Sequence, residues 1–247
     1  MISFFATVFY QPIYNVLVLL MTLLPWADAG IIIILVTIIV RLILFPLSQK
    51  SIITQLRMKD ISPELESLKL KYSNDKQEQA KQTMAFYKQK GVNPFSGFFA
   101  ILIQFPIIIS LYRIFYAGGI GEVDPSLLYS FVHVPDHVVS MVFLGFISLT
   151  SKNIIFALLA AVTQFFQAQI ITPPSPPVVS GEKKSIGNDL ARSMTFQSKY
   201  VFPVLIFFIA YAVSAAVSLY WIVSNTFSIF QELYVRRRYK KQNPQKS

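Results

Sequence analysis

This sequence predicts an all-α membrane protein, and three observations carry that prediction. Of 247 residues, 54% are hydrophobic and 14% charged, with a mean hydropathy of +0.53. A soluble domain carries about a quarter charged residues. Long apolar runs recur along the chain, and runs of about 18 residues or more read as bilayer-spanning helices. Finally, the net charge of +10 is concentrated in a few segments between those runs. The expected architecture is a five-transmembrane-helix bundle with a polar groove, an N-terminal interfacial helix and a cytoplasmic helical hairpin. No cysteine is present, which excludes disulfides, thiol chemistry and lipid-modified cysteine.

Residues 1–29 read as an extracytoplasmic interfacial helix. Gln11, Asn15, Val18 and Thr22 form one weakly polar stripe, and Trp26 precedes a break at Ala27-Asp28-Ala29-Gly30. The rival reading is a further span. Met1 to Asp28 holds no Lys or Arg, so the basic n-region of a signal peptide is missing and the segment is expected to belong to the mature protein.

The first clear span is 30–47, followed by a charged segment, 48–92. Gly91-Val92-Asn93-Pro94 restarts the apolar pattern, and 94–117 is the second span. Residues 118–152 form an extracytoplasmic loop and 153–171 the third span, stopped by Pro173-Pro174-Ser175-Pro176-Pro177. A cytoplasmic linker, 172–199, leads into an unbroken apolar stretch from Tyr200 to Val235. As one helix it is about 54 Å long, against a hydrocarbon core of roughly 30 Å. It must fold back near Ser214 to Ser218, giving spans 200–215 and 217–235. Residues 236–247 are a basic cytoplasmic tail.

Orientation follows from Lys and Arg. Segment 48–92 holds nine, 172–199 four and the tail six; the stretch 117–140 holds none, and carries Glu122, Asp124 and Asp136. The positive-inside rule puts the three basic segments in the cytoplasm, the N-terminus outside and the C-terminus inside. The exceptions are Arg41, Arg113 and Lys152; the last two sit at outer ends of spans, where long side chains snorkel.

Segment 48–92 reads as a helical hairpin. Pro63 stands at a first helical position. Leu65, Leu68 and Tyr72 make one apolar stripe, and Ala80, Met84 and Tyr87 the facing one. Asp75 and Glu78 have capping-box spacing, and Gly91 ends the second helix.

Arg41 is the sharpest functional signal. It lies ten residues, roughly 15 Å, from the start of the apolar run at Ile31 and about 9 Å from its end at Leu47, an interior position that reads as too deep to snorkel easily. Placing arginine there costs about 2.5–3.5 kcal/mol on insertion scales. Apart from Glu232, near the cytoplasmic end of the last span, the predicted spans contain no Asp or Glu. Arg41 is therefore expected to line a water-accessible cavity. Gln104, Gln164, Gln167 and Gln169, with Asn225 and Gln231, place further polar groups in spans; interhelical hydrogen bonding is the plainer reading of each. Enzyme motifs are absent: no HExxH, GxSxG or P-loop occurs. The only histidines, His133 and His137, have with Asp136 a spacing compatible with metal, although no metal or cofactor is expected. The cluster Arg236, Arg237, Arg238, Lys240 and Lys241 reads as an anchor on anionic lipid and a candidate contact for ribosomal RNA.

Several motifs in order resemble the YidC/Oxa family of membrane protein insertases. Ile38-Ile39-Val40-Arg41-Leu42-Ile43-Leu44-Phe45-Pro46-Leu47 is similar to the family's arginine-bearing span, with a charged hairpin after it. Tyr87-Lys88-Gln89-Lys90-Gly91-Val92-Asn93-Pro94, Gln104-Phe105-Pro106-Ile107, Leu111-Tyr112-Arg113, Phe143-Leu144-Gly145-Phe146, and Leu219-Tyr220-Trp221 with Asn225 continue the likeness over residues from about 10 to 240. Departures are the lack of a large extracytoplasmic domain ahead of Arg41, the lack of a lipoprotein cysteine, Ser148 where relatives carry an acid, and a Pro-rich linker. The resemblance implies a bacterial inner-membrane insertase and chaperone working without nucleotide. Its groove would include Arg41, the glutamines, Trp221 and Asn225. The implied partners are nascent membrane proteins, the ribosome, the Sec translocon and anionic lipids, with no DNA. A small-solute transporter or channel using the same cavity is the alternative, and a membrane enzyme a further rival.

Overall fold

A computed structural model describes residues 4, 6–93, 105–114, 123–172 and 193–243. Its helices are α1 (Ala6–Leu23), α2 (Ala29–Ile43), α3 (Phe45–Asp60), α4 (Ser62–Lys71), α5 (Lys76–Gln89), α6 (Phe105–Ile114), α7 (Ile154–Ile171), α8 (Ser193–Ala212) and α9 (Ala215–Gln242). Strands β1 (Val142–Phe143) and β2 (Ile147–Ser148) form a small antiparallel hairpin between α6 and α7. The chain divides into two compact units, one of residues 1–43 and 105–230, the other of 44–104 and 231–247.

By length and composition α1, α7 and α8 are each able to cross a membrane, while α2 and α3 pass only as a pair. The expected span 30–47 is thus interrupted: α2 ends at Ile43 and α3 starts at Phe45. Pro46 explains the break, since it has no N–H for the carbonyl four residues back and its ring clashes there. Of the expected span 94–117 only the short apolar helix α6 lies within the described residues. The α9 helix is not among the three because it carries Ser218, Ser224, Asn225, Ser228, Gln231 and Glu232, all buried.

In the first unit, the loop 140–153 gathers the starts of three helices. A helix leaves its first N–H groups without intrahelical acceptors. Here loop carbonyls and the side chains of Asp28 and Asn153 supply them. Ala29 N–H donates to Ser140 O at 2.9 Å, Ala215 N–H to Ser151 O at 2.8 Å and Ala216 N–H to Leu149 O at 3.1 Å. Asn153 caps α7, its Oδ1 accepting from Ile155 and Phe156 N–H. So α2, α7 and α9 all begin at one loop and share a polarity. The chain reverses between α8 and α9 at Val213-Ser214, where Ser218 Oγ donates to Ala210 O at 3.1 Å across the turn. The expected fold-back is therefore present.

The polar stripe of α1 holds the preceding part of the same loop. Asn15 Nδ2 donates to Leu127 O at 2.9 Å, and Asn15 Oδ1 accepts from Tyr129 N–H at 2.7 Å. Thr22 Oγ1 donates to His133 O at 3.3 Å. Contacts at Asn15 and Thr22, about two turns apart, lay this loop along the helix rather than at one end.

In the second unit α4 and α5 pair as a hairpin around Ile61, Leu65, Phe86 and Val92. The cap at Asp75 is as expected, accepting from Gln77 and Glu78 N–H at 3.0 Å each, whereas Glu78 Oε1 accepts from Gln82. Gly91, at φ +64°, ends α5 in a Schellman arrangement: its N–H donates to Lys88 O and that of Val92 to Tyr87 O. The facing stripe differs from the expected one. Phe86 is the buried residue, Tyr87 is half-buried, and Ala80 and Met84 are exposed. The inner face is set by the large ring of Phe86, which Lys90 covers at 5.3 Å while pairing with Glu64 of α4.

Candidate functional site

Thr37 and Arg41 sit one turn apart on α2, so both project from one face. Thr37 is buried and spends its hydroxyl on Ile33 O at 2.7 Å. Arg41 is half-buried, and its guanidinium reaches α9. Nε donates to Ser224 Oγ at 3.1 Å, and Nη2 donates to the same oxygen. Ser224 is fully buried, and its carbonyl accepts from Ser228 Oγ at 2.9 Å. Adjacent Asn225 points about 100° further round the helix. Its Nδ2 donates to Thr163 Oγ1 of α7 at 3.3 Å. One dipeptide of α9 therefore joins the arginine helix to α7.

The predicted residues fall around this centre unevenly. Arg41 and Asn225 are tied to it directly, and Trp221 is buried one turn before Ser224 on the same helix. Gln164, Gln167 and Gln169 lie half-buried on α7, with Gln167 one turn beyond Thr163. Gln104 lies outside the described residues. On α6, Ser110 Oγ is fully buried without a protein hydrogen-bond partner among the described residues.

Ser224 and Thr163 were not singled out by sequence reasoning. For Ser224 a signal was present: Trp221, Ser224, Ser228 and Gln231 repeat at intervals of three, four and three, the spacing of one helix face. Small hydroxyls inside a span read first as packing residues, which hides such a stripe.

The other end of α2 is fastened by its neighbours. Asp28 Oδ1 accepts from Ile31 N–H at 3.0 Å, and Oδ2 accepts from Leu144 N–H at 2.9 Å. Leu144 and Gly145 take φ values of +52° and +82°, making the tight turn between β1 and β2. The turn sends Phe143 against Gly30, where an added Cβ would stand 2.1 Å from the ring. Phe143 also meets Phe156 of α7 edge-on at 6.3 Å. The Phe143-Leu144-Gly145-Phe146 motif is thus a buttress on α2 and α7, at the end opposite Arg41.

In the second unit the tail of α9 is anchored before it becomes basic surface. Arg236 Nε donates to Glu232 Oε1 at 2.7 Å, Gln231 Nε2 to Phe45 O at 3.3 Å, and Tyr239 OH to Asp60 Oδ2 at 2.6 Å. Burial and the Asp60 carboxylate push the Tyr239 hydroxyl up to about 12. Arg236 is half-buried, whereas Arg237, Arg238, Lys240 and Lys241 are exposed.

These features define a multi-pass helical membrane protein in which Arg41 of one apolar helix is hydrogen-bonded to a buried serine of another. The model of the 60Kd inner membrane protein family matches residues 20–243, and the chain belongs to that family. It is 29% identical over 223 residues to a Clostridium tetani protein named membrane protein insertase YidC, covering 90% of this chain and 88% of that one. A Fusobacterium nucleatum protein of the same name is 30% identical over 209 residues, covering 85% and 86%. A Caulobacter vibrioides relative, also so named, is 28% identical over 250 residues, covering 96% of this chain; there the chain spans only 37% of the relative's length.

Proposed function

We propose that this chain is a membrane protein insertase and chaperone, delivering substrate transmembrane helices through a hydrophilic intramembrane groove without hydrolysing nucleotide. The observation that carries the reading is Arg41, held on Ser224 by Nε at 3.1 Å in an otherwise uncharged helix. The names of its relatives support the same activity. In a bilayer, unsatisfied backbone groups cost several kcal/mol each, about 2–7 for a buried amide or hydroxyl. Water held in a groove around Arg41 shortens the low-dielectric path for a substrate's polar tail. The guanidinium attracts acidic residues on that tail. The substrate's apolar helix then leaves sideways into lipid, driven by the hydrophobic effect and the membrane potential.

In this proposal five spans form the bundle: 30–47, 94–117, 153–171, 200–215 and 217–235, with the N-terminus outside and the C-terminus inside. The shared polarity of α2, α7 and α9 and the reversal before α9 support that arrangement. The loop laid along α1 supports an interfacial position for 1–29 on the outer face, although α1 is long enough to cross. Gln104, Gln164, Gln167, Gln169 and Trp221 are groove residues beside Arg41 and Asn225. The hairpin 48–92 receives substrate. The exposed Arg237, Arg238, Lys240 and Lys241, with Arg236, contact the ribosome or anionic lipid, and the Sec translocon is a further partner.

Reconstitution tests this reading. Purified protein in liposomes is expected to insert a small one- or two-span substrate with no separate channel and no nucleotide. If several such substrates insert no faster than into empty liposomes, the proposed activity is wrong. If they insert equally fast with wild type, Arg41→Ala and Arg41→Lys, the arginine has no part in it.

A further inference from the structure

The hairpin 142–148 divides its side chains in an unusual way. Phe143 turns inward onto Gly30, while Leu144 and Phe146 are 57% and 72% exposed. Leu144 occupies a left-handed position that tight water-facing turns give to Gly, Asn or Asp. From Val138 to Ser151 the chain contains no charged residue. The exposed apolar surface continues into the span that follows, through Ile154, Ile155 and Leu158 of α7. Trp26, 73% exposed, stands two residues before Asp28, whose carboxylate holds the Leu144 N–H. Tryptophan of this kind is enriched at the membrane–water boundary.

We propose that the tip of this hairpin, Leu144 and Phe146 together with Trp26, is a lipid-docking surface seated in the headgroup–acyl boundary of the outer leaflet. Lipid is the occupant the observations favour over water or protein. A water-facing tip has no use for two large apolar side chains at the turn, and between the tip and the exposed Ile154, Ile155 and Leu158 of α7 the chain carries one charge, Lys152, whose long side chain suits the headgroup level. The fastening by Asp28 and Gly30 fixes the tip's direction relative to α2. The lipid contact and the Phe143 buttress would then hold the outer end of α2 from two sides. This inference rests on the membrane placement and on the loop lying outside, not on the groove, so either reading can fail alone.

The absence of native cysteine permits a clean test. Leu144→Cys and Phe146→Cys, each carrying a nitroxide label in proteoliposomes, are compared with Leu158→Cys on the lipid-facing side of α7 and Glu66→Cys on the cytoplasmic hairpin. Collision with oxygen, which partitions into lipid, is expected to exceed collision with a water-soluble nickel chelate at 144 and 146, as at 158, and the order to reverse at 66. Nickel-dominated collision at both tip positions would overturn the proposal in favour of water. Exclusion of both reagents, with spin–spin broadening between copies, would overturn it in favour of a protein contact. Asp28→Ala supplies a second reading: freeing the hairpin is expected to shift both labels toward the nickel reagent without altering the label at 158. Unchanged ratios would show that Asp28 does not set the tip's depth.

Discussion

The two consecutive helices α8 and α9 meet at one turn yet obey opposite rules. On α8, Phe202, Val204, Leu205, Phe208, Ile209 and Tyr211 are exposed, and only Pro203 and Ala210 are buried in its Phe202–Ala212 segment. On α9 the run Ala215–Val217 and Leu219–Trp221 is buried, and so are Ser218, Ser224, Asn225, Ser228, Gln231 and Glu232. In water the apolar helix would take the interior. In a bilayer the solvent is itself apolar, so burying leucine gains little, and polar groups must find partners inside. The difference shows that, of these two helices, the one carrying polar side chains along its span is buried and the apolar Phe202–Ala212 segment of the other is left at the surface.

The comparison breaks most readily at Ser224. Ser224→Leu adds side-chain volume at a fully buried position and removes the oxygen that accepts from Arg41. Overpacking and an unmet polar contact together are expected to cost about 3 kcal/mol of stability. Ser224→Ala, which removes only the acceptor, is expected to cost about 1–2 kcal/mol. Unfolding titrations in detergent or bicelles separate the two; equal, negligible effects would detach α9 from the role given to it.

Gly30→Ala probes the end of α2 remote from Arg41. With Phe143 2.1 Å from the added Cβ, the ring must move, and a loss of about 1–3 kcal/mol is expected. Combining it with Phe143→Leu is expected to be less damaging than the sum of the single changes, because the clash is shared.

A smaller effect is expected at Tyr239, where α9 has left the buried centre. Its hydroxyl, pushed up to about 12 by burial and Asp60, has an ordinary value of 10.0. A raised folded value means that the contact's contribution is fully present below pH of about 10 and is lost as pH rises through about 12. The difference in tyrosinate absorbance between wild type and Tyr239→Phe follows that titration. Smallest of all is the expected effect of Phe208→Ala on α8: within about 0.5 kcal/mol in bicelles, because the ring faces solvent hydrocarbon.

Features set by local chemistry were legible in the sequence. Gly91 marked the end of α5 and the Pro-rich stretch the stop after Ile171. Arg41 was legible because a charge in an apolar span is costly wherever its partner lies. What was hidden depends on contacts between distant segments. The hydroxyl that receives Arg41 is 183 residues away. Two-residue strands have no periodicity to read, and nothing local tells a leucine to adopt a left-handed turn; Gly30 and Asp28 explain it only once they are adjacent. The hairpin stripe was displaced because Phe86 competes with Met84 and Ala80 for the same face, and ring size decides that competition in the packed pair.

The central claim is that water reaches Arg41 from the cytoplasm within the membrane. Arg41→Cys, the sole cysteine of such a chain, tests it with a membrane-impermeant maleimide. Labelling is expected from the cytoplasmic side at a rate approaching that of Glu66→Cys, and none from outside. Failure to label from the cytoplasmic side, while Glu66→Cys reacts readily, would contradict it.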